Sequence, residues 1–498
     1  MNEETSPQWR LVMEWAGTLT DIAGASALAA WDRETLMPPA GADGRARQLG
    51  TLAAMHHREL VRPDIGEALA ALAGDASLDE AGRAIVRLAR RRRDRAVRLP
   101  ESLVRESSEA ASRGVSAWIE ARRRDDFSLY QGALSTIVDL KRREAEALDH
   151  GGELYDALLD EYEPDTRAAD LEPVFADLRT RLAPLVAEAS SRAPVALPER
   201  EWSAEGQVTL AHELAEMIGF DRSSGVIACS EHPFTSTTHR GDVRFTTRVD
   251  PESPLSSIGA VMHEAGHALY EQGFPAEGDR TPLNDSPSLG AHESQSRFWE
   301  NHVGLTGAFW AHIEPAMRRH FPDAMAGIDH ELLHRAANVV RPSFIRVEAD
   351  EVTYNLHIIL RFEIELALMR DDLRVPDLPG AFADSMEALL GIRPRTPSQG
   401  ALQDIHWADG LIGYFPTYTL GNLYAAQIAE AADEALGGLE VAIEQGRFGD
   451  ILGFLRERIH RHGARLPTPE LMRGATGRDL SADALIAHLG RAHLHLSA

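Results

Sequence analysis

The pentapeptide that runs from His263 to His267 (His-Glu-Ala-Gly-His) contains residue types that can bind a metal ion and activate water. If residues 254–272 form a helix, the two imidazoles lie four positions apart on one face, where both can reach one ion. A Zn²⁺–nitrogen bond of about 2.0–2.1 Å is compatible with this spacing. Glu264 turns about 100° away from that face. We therefore predict that Glu264 acts as a general base toward water rather than as a ligand.

The residues around this pentapeptide have the pattern of a helix. Ser253 can cap its first turn, Pro254 suits the first helical position, and Gly273 can end it. Apolar residues recur with the helical period at Leu255, Ile258, Val261, Met262, Ala265 and Leu269. The pattern predicts that the metal-binding residues lie in the middle of a helix.

A third ligand is needed, because catalytic zinc sites usually take three protein groups and leave one position open. Glu293 starts a new helical pattern over residues 289–303, and enough chain precedes it for this helix to return beside the first. We therefore predict Glu293 as the third ligand. Its neighbour His292 points about 100° away on a helix, which favours a supporting hydrogen bond over ligation. The residues downstream of His267 that could supply this third ligand are Glu271, Glu277, His292, Glu293 and Glu300.

Length, composition and charge limit the class of protein. The chain has 498 residues, of which 44% are hydrophobic, so it can bury a large core. A net charge of −26 disfavours nucleic acid or an anionic membrane as the main partner. The single cysteine, Cys229, excludes an intramolecular disulfide, and no apolar run reaches the roughly 18 residues that span a bilayer. The first residues lack the features of a secretory signal, so we predict a cytoplasmic protein.

The pattern along the chain is mainly helical. Residues 1–200 show mostly a 3.6-residue period with Pro and Gly at the breaks, and helices return beyond residue 285. Residues 226–229 and 243–249 are short and β-rich, which predicts a small antiparallel hairpin sheet beside the metal helix. We predict one catalytic domain over residues 1–498, with a helical part (1–200) and a metal-site part (201–498).

Six blocks of the chain, in order, resemble the signature blocks of the carboxypeptidase Taq family of metallocarboxypeptidases. They are residues 232–234 (HPF), 242–246 (DVRFT), 263–267 (HEAGH), 292–295 (HESQ), 345–350 (IRVEAD) and 400–407 (GALQDIHW). Residues 30–39 (AWDRETLMPP) are also similar, so the resemblance covers residues 25–498. None of the six blocks departs from the family pattern.

The resemblance implies a mainly helical, two-lobed body with a deep groove, similar to neurolysin and angiotensin-converting enzyme, in which the N-terminal part covers the groove. By this resemblance His263, His267 and Glu293 are the zinc ligands, and Glu264 is the general base. The resemblance also implies peptide substrates and a homodimer. The sequence leaves open whether Zn²⁺ or Co²⁺ is the working metal.

A peptidase also needs donors for the scissile carbonyl oxygen and a proton-bearing group near the leaving amine. Polar side chains are dense among apolar ones between residues 403 and 418. We predict His406 and Tyr414 as catalytic donors there, and Tyr418 as the alternative tyrosine, in contact with substrate. Resemblance to related helical peptidases favours His406 plus a tyrosine.

A carboxypeptidase must recognise a free C-terminal carboxylate, for which an arginine fork is suited. Arg346 and Arg244 are the arginines of the family blocks, and each could instead pair with a nearby acid. His232 precedes a proline at a strand end, where it could line the cleft or pack. We predict these three residues as substrate contacts.

The histidines near the end of the chain occur in pairs two positions apart. Such positions do not share a helix face, and no pattern of acidic partners accompanies them. We interpret them as structural; they are His460, His462, His493 and His495.

The function predicted from these residues and this resemblance is a zinc-dependent carboxypeptidase of broad specificity that releases single amino acids. An oligoendopeptidase or a dipeptidyl carboxypeptidase is the alternative, because it would use the same metal site. A non-catalytic peptide-binding scaffold is less favoured, since a purely structural zinc site has no use for a base such as Glu264.

Overall fold

The structure is a computed structural model that describes residues 6–148 and 151–494. Helices dominate these residues, and three short strands form one sheet. The prediction of a mainly helical protein with a small sheet is thereby confirmed. The start of the chain, on which part of the cytoplasmic prediction depends, and His495 lie outside the described residues.

Within the described residues, nine α-helices precede the sheet. Proline occupies the first turn of the first and third of them, where its missing N–H costs no helical hydrogen bond. The nine are α1 Pro7–Thr35, α2 Ala42–Leu60, α3 Pro63–Leu72, α4 Glu80–Arg98, α5 Glu101–Arg124, α6 Ser128–Leu148, α7 Leu154–Leu159, α8 Ala168–Ala189 and α9 Ala204–Met217.

The sheet consists of β1 Gly225–Cys229, β2 Thr235–His239 and β3 Asp242–Thr247, with β3 in the centre. The antiparallel hairpin is formed by β2 and β3, whereas β1 pairs with β3 in parallel. This corrects the predicted antiparallel pairing of residues 226–229 with residues 243–249. The reason is that β2 lies between them in the chain, so the chain reverses twice before β3.

The sheet lies between α1 and the helix that carries His263 and His267. Val243 and Phe245 of β3 are fully buried in the core, as the alternation of a strand with one covered face requires. On the other side, α1 approaches the hairpin, where Trp31 contacts the ring of Phe234 with centroids 5.4 Å apart. The sheet thus connects the N-terminal helices to the metal-site part.

The metal-site part continues with helices that pack closely on one another. The helix that begins at residue 289 changes at Phe298 from α to π geometry, and we call Phe298–Gly304 the π turn. The helices are α10 Leu255–Gln272, α11 Leu289–Arg297, α12 Gly307–His320, α13 His330–Ala337, α14 Glu351–Met369, α15 Leu378–Leu390, α16 Pro416–Leu436, α17 Leu439–Glu444, α18 Phe448–Arg458, α19 Thr468–Thr476 and α20 Asp483–Leu494.

Two glycines permit the close packing of α11 against its neighbours. A Cβ on Gly266 of α10 would lie 2.7 Å from the Cα of Ser296, and a Cβ on Gly421 of α16 would lie 2.4 Å from the Cγ of Glu293. Real Cβ atoms do not approach so closely, so both positions require glycine while the helices keep this spacing. α10 and α16 therefore enclose Glu293 from two sides.

One large hydrophobic core joins residues on both sides of position 200, from Trp118 to Leu489. A smaller core is built by α1, α3 and α4 around Trp15 and Ile65. No helix among the described residues is both long and apolar enough to cross a bilayer.

Candidate metal centre

The helix that carries the two histidines forms as predicted. α10 begins after Pro254 and ends before Gly273, and Ser253 Oγ accepts a hydrogen bond from the N–H of Leu255. Its apolar residues are buried, which fixes the rotation of the helix about its axis. That rotation presents His263 and His267 together.

The carboxylate of Glu293 faces both imidazoles. Its Oε2 lies 3.7 Å from Nε2 of His263 and 3.4 Å from Nε2 of His267. One ligand atom from each of the three residues lies within 4.8 Å of the other two. Ligands about 2.0–2.1 Å from a tetrahedral ion are roughly 3.4 Å apart, so these spacings suit one ion.

The other oxygen of Glu293 is held by an arginine one helical turn later. Nε of Arg297 donates to Oε1 of Glu293 at 2.8 Å, and Nη1 of Arg297 donates to Glu300 at 3.1 Å. The charge of Arg297 helps to hold the pKa of Glu293 well below its ordinary value, against the opposing effect of burial. Glu293 is therefore an anion with one oxygen oriented toward the histidines.

The two histidines are supported differently. Nδ1 of His263 lies 2.8 Å from Oε2 of Glu300 on the π turn. The ring of His267 stacks on His292 with centroids 4.4 Å apart, and Nε2 of His292 lies 2.9 Å from Oε1 of Glu271. A carboxylate on the far nitrogen of a metal-binding histidine, as Glu300 is for His263, tunes the position and basicity of that ligand.

The electrostatics of the centre favour a bound cation. Burial disfavours protonation of His263, but the carboxylates of Glu293 and Glu300 outweigh it and raise the pKa of His263 to about 9. Burial, with the neighbouring His292, lowers the pKa of His267 to about 4. The carboxylates thus create a negative environment in which a positive charge between the imidazoles is stabilised.

We call His263, His267 and Glu293 the triad. Glu264 lies beside the triad but is not one of its members. Its carboxylate Oε2 is 2.7 Å from the hydroxyl of Thr235 on β2, whose oxygen is also 3.0 Å from the backbone carbonyl of Glu264. Burial raises the pKa of Glu264, an effect that His263 and Thr235 partly offset. A buried carboxylate with a raised pKa is suited to accept and return a proton.

The predicted donors near residue 406 form one aromatic group. Nε2 of His406 is 3.1 Å from the hydroxyl of Tyr418, and the rings of Tyr414 and Tyr418 have centroids 5.5 Å apart. Burial lowers the pKa of His406 to about 4, so this ring is neutral at neutral pH. Burial raises the pKa of Tyr414, and the charge of Glu293 adds to the effect.

Arg346 is buried next to this aromatic group. Its Nε donates to Oδ1 of Asp404 at 2.8 Å, and its Nη1 donates to the hydroxyl of Tyr354 at 3.0 Å. Tyr354 also lies under the guanidinium of Arg297, 4.6 Å from its ring centroid. Asp404 also forms a salt bridge with a second arginine, Arg361. Tyr354 therefore connects Arg346 to the arginine that holds Glu293.

The other two predicted substrate contacts lie toward the sheet. Arg244 makes two hydrogen bonds to Asp242, at 2.7 and 2.8 Å, and its guanidinium is 5.9 Å from the ring centroid of Trp31. His232 is exposed on the loop between β1 and β2, where its carbonyl accepts a hydrogen bond from Ser230. Neither residue contacts the triad within the described part of the chain.

Three residues of the centre were not predicted, or were given another role. Arg297 is four positions after Glu293, so helical spacing alone could have identified it. Glu300 was considered as a ligand, but it binds the far nitrogen of His263 instead. Thr235 directly follows the family block at residues 232–234 and had no signal of its own. Glu277, a rejected candidate, is exposed and weakly paired with Arg465.

Two imidazoles and a carboxylate that converge on one point, with a buried acid beside them, are the arrangement of a metal-dependent hydrolase. The donor set and the separations of its atoms fit a divalent metal ion. This is the class of protein that the fold and the site define.

Comparisons with known proteins agree with this class. A model of the carboxypeptidase Taq (M32) metallopeptidase family matches residues 12–492. Thermostable carboxypeptidase 1 of Thermus thermophilus is 41% identical over 97% of this chain and 98% of that protein, and the Pyrococcus furiosus protein of the same name is 39% identical over 93% of each. The crystal structure of an M32 carboxypeptidase from Deinococcus radiodurans has a TM-score of 0.96 at 38% identity, with 99% of each chain covered.

The chain belongs to the carboxypeptidase Taq (M32) family of metallopeptidases. The resemblance seen in the six sequence blocks is therefore confirmed, as is the predicted class of enzyme.

Proposed function

We propose that this metallocarboxypeptidase uses Zn²⁺, held by His263, His267 and Glu293, to remove single residues from the C-termini of peptides. The observation that carries the proposal is the convergence of three ligand atoms within 4.8 Å, with the carboxylate of Glu264 beside them. When bound, the ion supplies Lewis acidity, which polarises a carbonyl and makes water easier to deprotonate.

Glu264 is proposed to take the proton from the attacking water and to pass it to the departing amine. Burial raises the pKa of the Glu264 carboxyl group, so its carboxylate accepts a proton more readily than an exposed carboxylate does. A group of this kind can both take up a proton and give it back. The hydroxyl of Thr235 fixes one carboxylate oxygen, so the other is free to receive the proton. Thr235 is thus a positioning residue for the base.

His406 and Tyr414 are proposed to donate hydrogen bonds to the developing oxyanion, with Tyr418 contacting the substrate and orienting His406. His406 is neutral at neutral pH, so it carries one N–H that can be donated. The hydroxyl groups of both tyrosines stay protonated because burial raises their pKa values. Donors already held in place stabilise the charge without reorganisation.

Arg346 is proposed to bind the free carboxylate of the substrate. Two of its guanidinium nitrogens are occupied by Asp404 and Tyr354, while Nη2 makes no hydrogen bond to any residue in the described ranges. Asp404 keeps the guanidinium oriented for this contact. Arg244 and His232 are assigned to substrate binding on the sheet side, where β2 brings Thr235 to Glu264.

Zinc is proposed over cobalt because nitrogen and oxygen donors in a three-residue set with one open position are typical of catalytic zinc. A cytoplasmic location and a homodimer are also proposed; the family resemblance supports the dimer. The single domain over residues 1–498 agrees with a core that continues across position 200.

The test is product analysis with metal-loaded protein. A blocked dipeptide and a longer peptide are incubated with and without a chelator, and the products are identified by mass. We expect single amino acids released successively from the C-terminus, and no hydrolysis with chelator. Dipeptides or internal fragments would instead indicate a dipeptidyl carboxypeptidase or an oligoendopeptidase, and hydrolysis that is unaffected by chelator would reject the metal-dependent mechanism.

A further inference from the structure

A second group of metal-binding residue types lies where the last helix meets α14 and the π turn. Glu351, in the first turn of α14, has a side chain only 4% exposed. Its Oε1 is 2.9 Å from Nε2 of His488, and its Oε2 is 2.9 Å from Nε2 of His493, both on α20. The ring of His302, on the π turn, lies 4.1 Å from the ring of His488 between centroids. We call these four residues the α20 cluster.

Three members of the α20 cluster have ligand atoms within the same distance limit as those of His263, His267 and Glu293. One ligand atom from each of His302, Glu351 and His488 lies within 4.8 Å of the other two. These residues come from three separate elements that only the tertiary fold brings together. The sequence analysis did not identify this cluster. It grouped His493 with His495, whereas His493 lies near His488, five positions earlier, and their shared partner Glu351 is more than 130 residues away in the chain.

His302 is the feature that a hydrogen-bonded His–Glu–His cluster leaves unexplained. Its side chain is only 5% exposed, and its ring makes no hydrogen bond to another residue in 6–148 or 151–494. A neutral imidazole has one nitrogen with a free lone pair, which can bind a metal ion. A metal ion beside His488 would satisfy the lone pair of His302.

The charge states of the cluster suit metal ligation. Burial, with the nearby His488, lowers the pKa of His302 well below its ordinary value, so the ring is neutral. Burial disfavours ionisation of Glu351, but His488 and His493 outweigh it and keep the pKa of Glu351 below its ordinary value. Neutral imidazole and carboxylate are the forms that bind metals.

We propose that His302, Glu351 and His488 bind a second, structural divalent ion of the zinc class, with His493 holding the remaining carboxylate oxygen of Glu351. Two imidazoles and one carboxylate select zinc-like ions over Mg²⁺ or Ca²⁺, which prefer oxygen ligands throughout. On binding, the proton between His488 Nε2 and Glu351 Oε1 is released to solvent, and the ion takes its place. It fastens α20 to α14 and to the π turn that also carries Glu300.

The test counts bound Zn²⁺ by equilibrium dialysis and elemental analysis. The background variant combines His263→Ala with His267→Ala, which removes the catalytic ligands and makes activity irrelevant to the result. We expect two ions per chain for the unmodified protein, one for the background variant, and none when His302→Ala is added. A background variant that binds no ion, or one ion that persists after His302→Ala, would overturn the proposal.

Two further measurements separate ligation from folding and from adventitious binding. The matched control adds His57→Ala, an exposed histidine on α2, to the background variant, and it should retain the ion. Zn²⁺ should raise the unfolding temperature of the background variant and of this control, but not of the variant with His302→Ala. If His302→Ala fails to fold, His488→Ala replaces it. The Co²⁺-loaded background variant should show the visible absorption of a four-coordinate ion, and its absence would contradict the proposal.

Discussion

Nδ1 of His263 lies 2.8 Å from Oε2 of Glu300, while Nε2 of the same ring faces Glu293. The hydrogen bond to Glu300 places the ring proton on Nδ1 when a metal is bound, and leaves the Nε2 lone pair for the ion. The π geometry of residues 298–304 brings Glu300 to this position, seven residues after Glu293. One continuous segment thus supplies both a proposed ligand, Glu293, and the support of another, His263.

Replacing Glu300 with Gln should weaken Zn²⁺ binding by about 10-fold to 100-fold, because an amide no longer stabilises the imidazole N–H as a carboxylate does. The dissociation constant is measured by competition with a chromogenic chelator. Glu444→Gln, an exposed change on α17, is the control and should leave the affinity unchanged. Equal affinities of the two variants would contradict the role of Glu300.

Replacing Glu264 with Gln should lower kcat about 10²-fold to 10⁴-fold, because the side chain can no longer accept a proton. Zn²⁺ content should stay at the level of the unmodified protein, since Glu264 is not a ligand. Steady-state hydrolysis of a blocked dipeptide and elemental analysis provide the two values. A loss of metal in parallel with activity would instead make Glu264 part of the ligand set.

Replacing Arg346 with Ala should raise KM for peptides with a free C-terminus far more than for the same peptides amidated there. The physical reason is that only the free carboxylate gains a charge-assisted hydrogen bond from the guanidinium. Circular dichroism accompanies the kinetics, because the change also leaves Asp404 with one arginine fewer. Equal effects on both peptides would show that Arg346 is structural.

The buried carboxyl group of Glu163 should make stability fall as pH rises. Burial raises its pKa from an ordinary value of 4.5 to about 8, although Ser288 and the N–H of Gly290 partly offset the effect. Between these values the folded chain holds a proton that the unfolded chain releases, so this contribution to stability is complete below pH 4.5 and lost above about pH 8.

The variant Glu163→Gln, which cannot ionise, should lack this contribution. Its free energy of unfolding, relative to the unmodified protein, should rise with pH by up to about 1.4 kcal/mol per unit within that window. Denaturant unfolding at several pH values measures the difference. Glu188→Gln, an exposed change on α8, is the control. A difference that does not change with pH would show that Glu163 is ionised in the folded state.

The helix that carries His263 and His267 could be predicted because its pattern is local: the proline, the apolar period and the final glycine all lie within one segment. Glu293 could be predicted from the chain length needed for a second helix. The parallel pairing of β1 with β3 could not be predicted, because it depends on β2, which lies between them in the chain. Contacts that join distant segments, such as Thr235 with Glu264, likewise have no signature in the local pattern.

His263, His267 and Glu293 are proposed to hold a catalytic divalent ion together. Anomalous diffraction from crystals of the zinc-loaded protein, recorded on both sides of the zinc edge, tests this proposal most directly. We expect a peak bonded to Nε2 of both histidines and to Oε2 of Glu293, with a further position open to solvent, whatever is found at the α20 cluster. No peak between these three residues, or a peak there with Glu293 turned away from it, would contradict the account.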